Sequence, residues 1–142
     1  MRTITVQPLS CQFSNENKAM KLRPHQHFAT VELTFETLGP LGFPVFQETV
    51  DALHGYLREL TARPFRDSTN EDVADRLFGA FQDLVDSLGP ELASDSAYEA
   101  AREPLGRWGG EYRLHTLRLA VRGVQDDIGH SDGFAVYTVT WR

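Results

Sequence analysis

Two histidines one residue apart, His25-Gln26-His27, stand just ahead of an alternating apolar stretch. In a strand, residues two apart project from one face, so their imidazoles have the spacing of two metal ligands. A loop or surface role for His25 and His27 is the reading the sequence favours. Lys18, Lys21 and Arg23 precede the pair; they are placed either to face an anionic substrate or to sit in water on a hairpin. Asp126-Asp127 and Gly129-His-Ser-Asp-Gly133 hold acids, an imidazole and a hydroxyl, but Asp, Ser and Gly are turn formers and the stretch reads as a loop. Cys11 is the sole cysteine. It excludes a disulfide framework and a multi-thiolate metal site within one chain, and on a strand it reads as a small buried hydrophobe. Ser68-x-x-Glu71 has the form of a capping box, in which two side chains satisfy backbone N–H groups at a helix start. There is no glycine-rich phosphate loop, and a Ser-His-Asp set is recognised only by geometry.

The frame that must position these groups is small. The 142 residues have the length of one ordinary domain, and 41% hydrophobic with 24% charged residues is near the globular average. Twenty acids against fourteen Lys and Arg give a net charge of −6 and a pI near 5.3. General nucleic-acid binders show the opposite balance, so no nucleic-acid partner is expected. The opening Met1–Pro8 has one positive charge and no apolar run of signal-peptide length, and no eighteen-residue apolar run exists anywhere. No membrane partner and a cytoplasmic location are expected.

Strand periodicity marks Thr3–Phe13, broken at Pro8 where a bulge or edge position is expected. Ser14–Pro24 reads as a polar hairpin loop. Phe28–Phe35 alternates again, with Ala29, Val31, Leu33 and Phe35 on one face. Phe46, Val50, Leu53, Leu57 and Leu60 recur at helical spacing until Arg63-Pro64. A second helix is predicted from Ser68–Glu71 through Val73, Leu77, Phe81, Leu84 and Leu88, with Gly89-Pro90 as its stop. Ser96–Arg102 has room for a short helix. Tyr112–Val121 and Phe134–Trp141 alternate as closing strands. The order β-β-α-α-β-β predicts an α+β domain with an antiparallel sheet and both helices on one face. Its long sheet edges must be covered or paired, and pairing between subunits would make the protein an oligomer.

The stretches His25-Gln-His-Phe-Ala-Thr-Val-Glu-Leu33, Glu48-Thr-Val-Asp51, Phe65 through Glu71-Asp-Val-Ala-Asp-Arg-Leu77, and Phe134-Ala-Val-Tyr-Thr-Val-Thr-Trp-Arg142 carry a resemblance. Together with element order and length, they resemble the tunnelling fold (T-fold) superfamily. The likeness is greatest to dihydroneopterin aldolase, with the pyruvoyl- and carboxy-tetrahydropterin synthases second. It implies a single T-fold domain over 1–142, with residues about 90–111 inserted, whose protomers assemble as a tetramer or octamer into a β-barrel. It implies a small heterocyclic substrate and a site shared between subunits.

By this resemblance Glu71 holds the amino-pyrimidine edge of the substrate. A carboxylate suits that task, since it accepts two parallel hydrogen bonds from a ring N–H and its amino neighbour. The family's tyrosine after the Thr-Val-Asp element is replaced by Ala52, with Tyr56 a turn further on. Its lysine, near Gly123 to Gln125, is missing; Arg122 is the nearest cation, but arginine does not deprotonate. The implied catalytic set is therefore Glu71, Tyr56 and Arg122, with Gln125, Asp51, His27 and Lys18 joining Glu71 in substrate binding. The aldolase reading implies metal-free retro-aldol cleavage through an enol. The synthase reading implies zinc on His25 and His27. There the third histidine has no counterpart in Ser10–Ser14, the Asp-His pair is replaced by Arg63-Pro-Phe-Arg66, and Gln125 stands where the ring-binding glutamate falls. A repurposed enzyme of the same fold and a non-catalytic binding or assembly module are the other readings.

Overall fold

The computed structural model of the chain describes residues 1–40, 42–107, 110–122 and 134–141, without the side chain of Leu22. Among the described residues five strands and three helices follow in the order β1 (Arg2–Thr5), β2 (Leu9–Asn17), β3 (Leu22–Thr37), α1 (Gln47–Thr61), α2 (Asn70–Val85), α3 (Asp95–Arg107), β4 (Tyr112–Arg122) and β5 (Ala135–Thr140). The protein is α+β, with an antiparallel sheet curled into a half-barrel. Long β3 is its spine: β4 and then β5 lie on one side, while β1 and β2 share the other.

The expected first strand is thus two. Pro8 has no N–H for a ladder, and pairing lapses around it; β1 runs against Thr34–Thr37 and β2 against Leu22–Val31. The hairpin is tighter than its polar sequence suggests. Only Lys18–Lys21 remain between strands, with Lys21 in a left-handed conformation (φ 55°) and its N–H donating to the Lys18 carbonyl at 3.0 Å.

Alternation places Leu9, Cys11 and Phe13 of β2, Ala29, Val31, Leu33 and Phe35 of β3, and Leu117, Leu119 and Val121 of β4 on the buried face. A register shift between Thr34 and Phe35 restores this phase for Leu114, which pairs with Phe35 while Thr116 pairs with Thr34. Helices α1 and α2 cover this face with Val50, Leu53, Leu57, Val73, Leu77 and Phe81. The opposite face mixes ion pairs with exposed apolar side chains such as Phe28 and Val136: Glu36 accepts from Arg113 Nε at 2.7 Å, Glu32 lies 3.5 Å from Arg118, and the Arg113 guanidinium sits 3.9 Å over the Trp141 ring.

Two helix boundaries differ from expectation. α2 stops at Val85 rather than at Gly89-Pro90, because Ser87 takes a left-handed conformation (φ 57°) and the Leu88 N–H returns to the Asp83 carbonyl at 2.9 Å. Leu88 therefore lies outside the helix and is exposed. The region expected as an insertion folds into the thirteen-residue α3, which buries Tyr98, Ala101 and Leu105 against α1 and α2. From α3, Arg102 Nη1 donates to the Leu84 carbonyl at 3.0 Å, closing the end of α2. Among the described residues, no helix is long and apolar enough to cross a membrane.

The link from α1 to α2 completes the frame. It lies along the outer edge of β2, where Phe65 N–H donates to the Ser14 carbonyl (2.8 Å) and Ser68 N–H to the Glu16 carbonyl (2.7 Å). This stitching brings the first turn of α2 beside the strands that carry the histidines.

Candidate functional site

His25 and His27 are not in a loop: β3 begins at Leu22, ahead of the expected Phe28, and carries both on one face with ring centroids 4.3 Å apart, His27 being buried rather than at the surface. His27 is almost wholly buried, stacked on Phe13 at 4.8 Å, and its Nε2 is 2.8 Å from Asn15 Oδ1. Asn15 occupies a core-facing position of β2 and is equally buried. Its amide donates to the Ser68 carbonyl at 3.1 Å and to Asn70 Oδ1 at 2.9 Å. A buried polar group is costly unless bonded, and this network satisfies the Asn15 amide and His27 Nε2 while tying β2, β3 and α2 together. His25 is half-buried, and its Nδ1 donates to the Arg23 carbonyl at 2.7 Å.

The first turn of α2 forms the facing wall. Thr69, not Ser68, is the N-cap: Thr69 Oγ1 accepts from the Asp72 N–H (3.2 Å) and the Asp72 carboxylate accepts from the Thr69 N–H (2.9 Å). The expected capping box is therefore displaced by one residue. Ser68 is buried instead, donating its hydroxyl to the Arg66 carbonyl at 2.9 Å. The hydrogen bonds from the Thr69 backbone and side chain hold the Asp72 carboxyl below the usual aspartate value. Glu71 is left exposed, its carboxylate outside the cap. A cleft of about 330 Å³ is lined by Glu71, Thr69, Asn70, His25, His27, Met20 and, from β5, Tyr137.

The other predicted residues lie elsewhere. Tyr56 is 2% exposed in the helix core, 5.8 Å from Phe81 and 6.5 Å from Tyr98 by ring centroid. Its hydroxyl has no partner among the described residues, and burial, reinforced by Tyr98 and Asp83, pushes the phenol up to about 12. Such a group is not a proton carrier for the cleft, which it does not line. Arg122 pairs with exposed Phe28 on the outer sheet face, the opposite side from the buried Ala29–Val121 pair. Asp51 is exposed on α1 and accepts from Gln47 Nε2 at 2.8 Å. Lys18 is exposed on the hairpin turn, where Met20 rather than Lys18 reaches the cleft. Gln125 and the loop from Asp126 to Gly133 lie outside the described residues. Cys11 is buried, and desolvation pushes its thiol up to about 12, as suits filler.

Three protein ligands are usual at a catalytic zinc, and among the described residues no group of three His, Cys, Asp or Glu side chains is gathered to hold a metal. What the cleft does combine is a carboxylate, two imidazoles, a phenol ring and a thioether. That set can accept hydrogen bonds, exchange protons and contact a flat ring. Thr69, Asn70, Met20 and Tyr137 of its lining, and Asn15 behind His27, are what motif reading misses. Asn15 alone leaves a sequence signal, a polar residue in phase with Leu9, Cys11 and Phe13.

The chain matches no protein-family model, no curated protein and no solved structure.

Proposed function

We propose that this chain binds a small, flat nitrogen heterocycle of the pterin or purine type, with Glu71 accepting hydrogen bonds from the ring N–H and amino edge. The single observation behind this reading is the capping geometry. Thr69 and Asp72 close the helix, so the Glu71 carboxylate is left for a ligand in the cleft it shares with His25, His27 and Tyr137. A bidentate carboxylate contact is stronger than a neutral one and specifies a planar donor pair. Tyr137 offers an aromatic edge or face to the same ring.

The reading extends to a cytoplasmic T-fold enzyme related to dihydroneopterin aldolase and diverged in chemistry. With Tyr56 in the core and Arg122 on the outer face, retro-aldol or enol chemistry falls to the imidazole pair, since histidine is the side chain best suited to proton transfer near neutrality. The exposed Phe134, Val136 and Trp141 on and beside edge strand β5 favour pairing with neighbouring subunits, which would extend the half-barrel into the ring of a tetramer or octamer.

Titration calorimetry against a panel of pterins and purines tests binding, and release of glycolaldehyde from dihydroneopterin tests aldolase chemistry. Binding with turnover supports the enzyme, and binding without turnover leaves a ligand-binding module. No binding by any ring compound rejects the proposal.

A further inference from the structure

We infer that His25 and His27 are held as opposite neutral tautomers, with Asn15 as the positioning residue that fixes His27. For His25, Nδ1 lies 2.7 Å from the backbone carbonyl of Arg23. A carbonyl only accepts, so the proton is on Nδ1 and the basic nitrogen of the neutral ring is Nε2.

For His27 the assignment runs through the Asn15 amide. Turned over, that amide would set Oδ1 against the Ser68 carbonyl, two acceptors 3.1 Å apart in the interior. The Ser68 carbonyl therefore fixes Nδ2 on its side, and the second amide hydrogen goes to Asn70 Oδ1. Oδ1 is left to accept, and the donor 2.8 Å away is His27 Nε2–H. The basic nitrogen of neutral His27 is then Nδ1. Both residues are 1% exposed, so water does not compete for these positions.

Two rings 4.3 Å apart thus carry their protons on different atoms, Nδ1 on half-buried His25 and Nε2 on buried His27. Asn70, bonded to the same amide, directly precedes Glu71 in the first turn of α2. The catalytic meaning of this arrangement rests on the proposed function; the tautomers themselves do not.

Two-bond ¹H–¹⁵N correlation on ligand-free protein labelled at histidine nitrogen, above the imidazole titration, reads the tautomers directly. His25→Gln and His27→Gln assign the signals. The expected wild-type result is an Nδ1–H pattern for His25 and an Nε2–H pattern for His27. Asn15→Leu should abolish single-tautomer selection at His27 and leave His25 unchanged. Asn70→Ala, which spares the Ser68 contact, should keep His27 as Nε2–H. Equal tautomers at the two histidines, a mixture at His27 in the wild type, or an unchanged His27 pattern in a folded Asn15→Leu would overturn the inference. The wild-type spectrum decides the tautomers even if Asn15→Leu does not fold. Opposite tautomers in a protein that binds no heterocycle would reject only the functional reading.

Discussion

Thr69 and Asp72 exchange hydrogen bonds across the first turn of α2, at 3.2 and 2.9 Å, and Glu71 between them takes no part. Thr69→Ala should therefore lower stability by about 1 kcal/mol, the usual loss for a helix cap. Glu71→Gln should stay within about 0.5 kcal/mol of wild type, as for an exposed substitution outside the fold's support. Urea unfolding of the two variants measures the contrast, and a larger loss from Glu71→Gln would return that residue to a structural role.

The cap also has a pH signature. The folded Asp72 carboxyl lies below its ordinary 3.8 because Thr69 bonds to the charged form. Its stabilising contribution is present above the unfolded value and lost as pH falls through the folded one. The stability difference between wild type and Asp72→Ala should be full near neutrality and shrink in the acid limb. Denaturant midpoints recorded from neutral to acid pH test this, and a gap that widens on acidification would contradict it.

Tyr56 supplies the alkaline counterpart. Burial raises its phenol from 10.0 to about 12, so its contribution is present below pH 10 and lost as pH rises through about 12. Tyr56→Phe removes a buried hydroxyl that has no partner among the described residues. It should be neutral to stabilising by about 1 kcal/mol near neutral pH, because an unsatisfied buried group costs about 1–3 kcal/mol. The variant should also lose less stability above pH 10 and bind ring ligands like the wild type. Loss of binding with the fold intact would bring Tyr56 back to the site.

Arg102 joins α3 to the end of α2 through the Leu84 carbonyl. Arg102→Ala should cost about 1.5 kcal/mol, the lower end for a hydrogen bond to a charged group. Hydrogen exchange should rise in the last turn of α2 before it rises in the sheet. Uniform change across the molecule would contradict this local closure.

The legible part of the fold was the part written in long periods. Val31, Leu33 and Phe35 alternate, and Val73, Leu77 and Phe81 repeat at helical spacing, so each declares the face it buries. Short-range signals slipped by a residue or more: Ser68 and Thr69 are both good caps, and tertiary bonding of Ser68 to the Glu16 carbonyl decides between them. α3 was only half visible because its buried face rests on Tyr98, Ala101, Pro104 and Leu105, a weak apolar stripe. At the site, the polar run up to Pro24 suggests a loop or surface place for His25 and His27, but pairing with β2 extends β3 back to Leu22 and buries His27. The distance of Tyr56 from the cleft follows from the helix rotation, which buries it with Leu53, Leu57 and Leu60. Tyr137 reaches the cleft by strand order across β3, β4 and β5, which no local pattern encodes.

The most direct measurement compares wild type, Glu71→Gln and Thr69→Ala by titration calorimetry with pterin and purine ligands. Glu71→Gln should weaken the ligand bound by wild type by about 10- to 100-fold, the equivalent of a lost charge-assisted hydrogen bond, at unchanged stability. Thr69→Ala, which removes the cap, should by contrast lower stability by about 1 kcal/mol. Equal affinity of wild type and Glu71→Gln for a ligand that binds would contradict the account.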